Sequence, residues 1–338
     1  MSLMIKPECK HTLRTTQELL YDHSSERSSC GVGFITRKDG AQTHDVILKG
    51  HEALCAVPHR GGMSSEGVGD GAGICIDLSD SFFSRLTSQK LTNGQYGVGN
   101  YFLPTNPGSR TFAIETVENL LRDSGLKVIF RRELPVDAKA IEQRGRHLQL
   151  PIFQWIFTLA QSKADSDFDS VIYNTLVKIE SHAFQDKSLE GLYPLSMSSQ
   201  TQVLKGRLNS WELVPYFLDL SEPDHCVHTL FFHTRFSTNT DPHPSMAQPF
   251  RQMAHNGELN TDKKNRLSEI AEAKARKRNI DRPKGQSDSS RFDQTLGYRI
   301  HEGKVDLVSA VVSMMPPAWE NDNCLSPSVR DMFEYFSL

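Results

Sequence analysis

Three observations predict an α+β fold with its elements arranged in layers. Apolar segments of strand length, several spaced by glycine, recur from residue 30 to the middle of the 200s. Segments with apolar residues at helical spacing lie between them. Chemically useful residues are scattered from 30 to 288, so a common site would require one domain with insertions. The 338 residues would otherwise suggest about two domains.

Residues 1–29 read as a polar leader, rich in Ser, Thr and charge, with at most one weak helical turn near 15–20. The domain proper is expected over 30–338, opening on a strand at 30–36 (Cys30-Gly31-Val32-Gly33-Phe34-Ile35-Thr36). Residues 45–56 carry apolar positions at helical spacing. A glycine-dense loop over 58–69 leads to a buried strand at 71–78. The strand at 96–104 is bounded by Asn93-Gly94 and Pro104, and the helix at 109–124 stops at Gly125.

Strands follow at 128–134 and 152–160, a helix at 168–184, a strand at 202–208 and a helix through 211–218. Two more strands are expected at 228–237 and around 251–259. Residues 261–279 form a highly charged helix with little apolar face, which reads as a solvated surface helix. After a polar loop at 282–290, helices are expected at 292–301 and 305–315.

Composition excludes several function classes. The chain is 38% hydrophobic and 23% charged, the balance of a globular protein. A formal net charge of −3 gives no field that would draw nucleic acid or an anionic membrane. No apolar run approaches the roughly 20 residues a membrane span needs. Residues 1–29 lack the apolar stretch of a secretory signal. Six cysteines without a CxxC pair argue against structural zinc or an iron–sulfur cluster. Unpaired spacing and no export signal point to reduced thiols in the cytoplasm.

The chemistry begins at Cys30. A thiol is a nucleophile near neutral pH. A cut before Cys30 would free an α-amine with a pKa of roughly 7.7–8.0, suited to moving a proton. Taken alone, Cys30 reads better as a small buried apolar residue. Downstream segments reverse that reading. Arg235, in His233-Thr234-Arg235-Phe236-Ser237-Thr238, offers a bidentate donor for a carboxylate, and Thr238 adds a hydroxyl; a structural ion pair is the plain alternative. Asn256-Gly257 supplies a side-chain amide and a backbone N–H for a developing oxyanion, where a hairpin turn is the bland reading. Asp288, in Ser287-Asp288-Ser289-Ser290, suits an α-ammonium, or else a helix N-cap. Together these groups form a toolkit for hydrolysing the side-chain amide of glutamine.

The residues resemble a known family, the glutaminase domain of the glutamate synthase large subunit. That domain is a class II glutamine amidotransferase with the N-terminal-nucleophile (Ntn) hydrolase fold. The matching blocks are CGVGFI at 30–35, HRG at 59–61, GDGAGI at 69–74 and LSMSSQTQVLKGR at 195–207. They continue with HTRFSTNT at 233–240, AQPFR at 247–251, AHNGELNT at 254–261, SDS at 287–289 and MMPPAW at 314–319. The resemblance implies a four-layer αββα sandwich and conversion of glutamine to glutamate and ammonia through a thioester on Cys30 after leader removal. It implies that Arg235 and Thr238 hold the glutamine carboxylate, Asn256 and Gly257 form the oxyanion hole, and Asp288 holds the amine. The implied partners are L-glutamine and a synthase subunit or domain that receives ammonia; no cofactor, nucleic acid or membrane is expected.

Two stretches depart from the family pattern. The loop after His59-Arg60-Gly61 reads Gly62-Met63-Ser64-Ser65-Glu66, where an Ala and an Asp are usual, and a tryptophan expected before AQPFR is absent. The family continues beyond Leu338 with a proline-rich turn and a β-hairpin, so the sandwich is expected to lack that hairpin. Two other readings compete: a non-catalytic glutamine-binding or scaffold domain, and an Ntn acylase acting on another amide. Pairing of Arg235 with Asp288, which reads both ends of an α-amino acid, argues against the acylase.

Overall fold

In the computed structural model, residues 31–161, 167–234, 243–256, 259, 262–278, 280, 286–316 and 318–337 are described. Elements β1 (Val32–Thr36), α1 (Asp45–Ala56), β2 (Ala72–Asp77), α2 (Asp80–Thr87), β3 (Gly97–Phe102), α3 (Pro107–Asp123) and β4 (Leu126–Glu133) come first. Then follow β5 (Ile152–Leu159), α4 (Phe168–Gln185), β6 (Tyr193–Ser198), β7 (Thr201–Gly206), α5 (Leu213–Tyr216) and β8 (Thr229–His233). Four helices, α6 (Asp262–Ala275), α7 (Asp288–His301), α8 (Leu307–Met314) and α9 (Pro327–Ser337), follow β8.

The strands form two antiparallel sheets, ordered β1-β8-β2-β7 and β4-β5-β3-β6. Apolar residues of both meet in one core: Ile74, Val203 and Leu230 from the first sheet share it with Phe102, Ile152 and Leu195 from the second. Ile47 and Leu54 of α1 join that core. The second sheet contributes Trp155 and Phe157 to a separate cluster with Val117 and Leu121 of α3 and Ile172 and Ile179 of α4. Each such side chain contributes about 1.5–3 kcal/mol on full burial.

A polar bridge also joins the sheets. Gln154 of β5 donates to Asn100 Oδ1 of β3 at 3.0 Å and to Gln202 Oε1 of β7 at 3.2 Å. Asn100 in turn donates to Gln202 Oε1 and to the Val203 carbonyl. Arg132 of β4 donates to Gln154 Oε1 and pairs with Asp219. His225 closes the group, donating through Nδ1 to the Asp219 carbonyl at 3.0 Å while its Nε2 faces Gln202 Nε2 at 3.4 Å.

Helix α1 has the predicted ends, and β1, β2, β3, β4, β5, β7, β8, α3, α4, α7 and α8 fall within the predicted stretches or a few residues of their ends. The helix expected through 211–218 is broken instead. A 3₁₀ turn (Ser210–Glu212), the single turn of α5 and another 3₁₀ turn (Leu218–Ser221) replace it. Pro215 has no N–H to continue the ladder, and the Leu218 N–H goes to the Pro135 carbonyl across the molecule.

The strand expected around 251–259 is absent over its described residues. Its backbone donors go elsewhere: Gln252 N–H to the Asp293 carboxylate and His255 N–H to Gln248 Oε1. Without those donors no ladder forms. Helix α6 is also corrected. Its buried face is mostly polar, with Asp262, Asn265 and Glu269 inside beside Ala273, while Leu267 is 57% and Ile270 40% exposed. Helices α2 and α9 and strand β6 were not anticipated. The leader lies outside the described residues.

Candidate active site

The start of β1 and the end of β8 lie side by side. Thr234 donates its N–H to the Gly31 carbonyl at 2.7 Å and its hydroxyl to the same oxygen at 3.3 Å. Register aligns Val32, His233, Gly73 and Lys205 in one row across the sheet. Residues in one row face the same side. Gly73 is required there: a Cβ would lie 2.6 Å from the Gln248 carbonyl oxygen and 3.0 Å from Pro249 Cδ. The segment 247–250 therefore rests directly on β2.

Lys205 anchors the start of that segment. Its Nζ donates to the Ser245 carbonyl at 3.0 Å and lies 4.7 Å from the centre of the Phe250 ring. Burial pushes its amine down to about 7, with Asp293 opposing and Arg251 reinforcing that shift.

Gln248 hands the path on, accepting the His255 N–H at 3.0 Å. His233 Nε2 donates to the His255 carbonyl at 3.0 Å, which fixes a proton on that nitrogen. The His255 imidazole reaches Ser289 Oγ through Nε2 at 2.6 Å. Ser289 in turn donates its N–H, at 2.7 Å, and its hydroxyl, at 3.2 Å, to Asp288 Oδ1. The Ser289 hydroxyl thus lies between the imidazole and the carboxylate, with the tautomer of His255 setting which of the two partners donates. Burial lowers the His255 pKa, and the nearby Asp288 charge works against that shift.

Of the predicted site residues, Asn256 and Asp288 are described, and this path connects their surroundings. Asn256 is exposed and follows His255 directly. Asp288 occupies the first turn of α7, where an acidic side chain suits the helix dipole. The N-cap is its neighbour Ser287, whose Oγ accepts the Ser290 N–H at 3.1 Å. Cys30, Arg235, Thr238 and Gly257 lie outside the described residues. Gly31 and Thr234, which adjoin Cys30 and Arg235 in the chain, are the pair that bonds at the head of β1.

Sequence reasoning assigned no role to His255, Gln248, Ser289 or Lys205. Their blocks (AHNGELNT, AQPFR, SDS, LKGR) were conspicuous, but which side chain holds which backbone group is a long-range fact. The altered loop after Gly61 is held locally: Ser64 Oγ accepts from Glu66 and Val68 N–H groups, and Glu66 pairs with Arg144. Gly61 itself lies against the site, since a Cβ there would sit 3.1 Å from the Thr234 carbonyl oxygen.

Two competing chemistries fail on geometry. Asp288, Ser289 and His255 contain the residue types of a serine nucleophile, but the carboxylate bonds the hydroxyl instead of orienting the imidazole. Cys75, in β2, has its thiol pushed up to about 12 by burial, which makes it inert. Cys75, Cys226 and Cys324 are free thiols. No group of metal-ligating side chains occurs among the described residues. A cavity of about 200 Å³ between α4, β6 and α7 holds the buried Arg251, Glu180 and Asp293 charges, but neither Asn256 nor Asp288 lines it. No described helix is long and apolar enough to cross a membrane.

Residues 30–338 match the family described as glutamine amidotransferases class-II. The chain belongs to that family, whose members are enzymes. It is 32% identical over 96% of its length to ferredoxin-dependent glutamate synthase 1, chloroplastic/mitochondrial, of Arabidopsis thaliana, covering 21% of that protein. It is 31% identical over 92% of its length to ferredoxin-dependent glutamate synthase 2 of a Synechocystis strain, covering 21% of it. Over 90% of its length it is 31% identical to glutamate synthase [NADH] of Saccharomyces cerevisiae, covering 15% of that protein. The chain thus spans about a fifth or less of these relatives, and the part they share is their glutaminase domain.

Proposed function

We propose that the chain hydrolyses L-glutamine to L-glutamate and ammonia, using Cys30 as an N-terminal nucleophile within a four-layer αββα sandwich. The leader, residues 1–29, is removed first, which frees the Cys30 α-amine. That amine takes the thiol proton, and the thiolate attacks the side-chain carbonyl carbon of glutamine. Asn256 and Gly257 bind the oxyanion, a contribution of roughly 3–4 kcal/mol for one such donor. Collapse of the tetrahedral adduct returns the proton to the leaving nitrogen, releasing ammonia and leaving a thioester. Water then cleaves the thioester to glutamate and restores the thiol. Arg235 and Thr238 hold the substrate carboxylate and Asp288 its ammonium.

Ammonia passes to a synthase subunit or domain, and the reaction runs in the cytoplasm. The glutamate synthase names of the relatives, with the chain's limited share of their length, support the first point. One observation carries the reading: a hydrogen-bonded path runs from His233, beside the Thr234–Gly31 pair, through His255 to Ser289 and Asp288. Family membership over residues 30–338 favours catalysis over a scaffold or an acylase of different specificity.

Intact mass before and after incubation with the diazo-ketone analogue of glutamine, with peptide mapping, tests the proposal. The expected product starts at Cys30 and carries one adduct there. A chain that starts at Cys30, stays unmodified and does not turn over glutamine would overturn it.

A further inference from the structure

We infer that His255 is a positioning residue for the glutaminase reaction, its imidazole tying the oxyanion side of the site to the ammonium side through Ser289. The inference rests on the glutaminase reading above and goes beyond it, since that reading gives His255 no task.

Asn256 is exposed, so packing does not fix it. What fixes it is the residue before it. Three elements hold His255 at three different groups: Gln248 takes its N–H, His233 binds its carbonyl, and Ser289 bonds its ring. The first two bonds set the height of the backbone above β2 and β8. Only the third reaches α7, and Ser289 is also the residue whose N–H and hydroxyl bind Asp288 Oδ1.

The ring bond therefore has two consequences. It fixes the backbone torsion leading into Asn256, which aims the amide. It also holds Ser289 where its N–H and hydroxyl both meet Asp288 Oδ1, which leaves the other carboxylate oxygen for a ligand. In glutamine these two ends, the side-chain carbonyl and the α-ammonium, are separated by a fixed number of bonds. A bridge between the protein groups that receive them sets the span the substrate must match.

The test is steady-state glutamine hydrolysis by the full chain after maturation at Cys30, in the parent and in His255→Ala, His255→Gln, Ser289→Ala and the alanine double variant. His255→Ala is expected to lower kcat by about 10- to 100-fold, the range for modest misplacement of reacting groups. His255→Gln, whose amide nitrogen stands near the place of Nε2, recovers most of that loss. Ser289→Ala raises KM for glutamine as well as lowering kcat, because it loosens Asp288 directly. The double variant loses no more than the worse single one, since both act through one bond.

Equal rates for His255→Ala and His255→Gln, or additive losses in the double variant, overturn the inference and leave the glutaminase reading intact. If His255→Ala does not fold, Ser289→Ala still decides: unchanged kcat and KM would overturn it. Absence of turnover in the matured parent overturns the underlying reading and the inference with it.

Discussion

Two buried polar networks in this molecule use the same residue types to opposite ends. Between the sheets, Asn100, Gln154, Gln202, His225, Arg132 and Asp219 bond to one another, and the chain of contacts closes on itself at Asp219. At the end of the first sheet, His233, Gln248, His255 and Ser289 also bond to one another, but that path ends in exposed Asn256 and partly exposed Asp288. A closed network has satisfied its donors and acceptors and contributes conformational specificity. An open one leaves its last groups accessible to solvent. The same chemistry is closed on itself in one place and, on the proposed function, open to a substrate in the other.

Breaking the closed network should destabilise the fold and spare the reaction. Asp219→Ala leaves the Arg132 guanidinium largely buried without its carboxylate, and loss of about 3–5 kcal/mol is expected in urea denaturation. Turnover per folded molecule should stay near the parent value, and a proportionate loss of both would erase the distinction between the networks. Breaking the open network should do the reverse. Asn256→Ala is expected to lower kcat by about 10²–10³-fold with the denaturation midpoint unmoved, because the side chain is exposed.

How much of this was legible in the sequence follows from the range of the interactions. Helix α1 and strands β2 and β5 were readable because apolar spacing is a local signal, and their burial follows it. Helix α2 was missed although Ser79, its N-cap, stands before Asp80: its apolar pair Phe82-Phe83 gives no clear period. Asn256 and Asp288 were singled out because their residue types suit an oxyanion and an ammonium. The contacts that hold their neighbours in place were not legible. His255 meets Ser289 across 34 residues and His233 across 22, and no local pattern encodes either distance.

Acid should discriminate the networks as well. His225 lies in the closed one, stacked on Phe82 at 4.3 Å, and burial pushes its pKa down to about 4. The unfolded chain takes up that proton near the ordinary histidine value of about 6.5, and the folded chain only near 4. Stability contributed by the neutral ring is therefore complete above about 6.5 and lost as pH falls toward 4, by on the order of 3 kcal/mol. Urea midpoints at pH 7 and pH 4.5 measure it, and His225→Asn should flatten the difference. If parent and variant show the same pH slope, the ring is not the neutral member of the closed network.

The smallest expected effect concerns α6, where the sequence misleads most. Its charged pattern reads as a solvated helix, yet Glu269 is buried and accepts from Thr295 at 2.8 Å, and Asn265 donates to the Met314 carbonyl. Polar groups thus join α6 to α7 and α8, and the apolar Leu267 is left facing outward. Glu269→Leu strands the Thr295 hydroxyl in the interior and should cost about 1–3 kcal/mol. Leu267→Glu should change stability by no more than about 0.5 kcal/mol, because its side chain is mostly in water. Hydropathy alone predicts the opposite ranking, with the leucine as the anchor. Measuring the two variants side by side decides whether burial or residue type governs this helix, and the hydrogen bonds to α7 and α8 require that burial does.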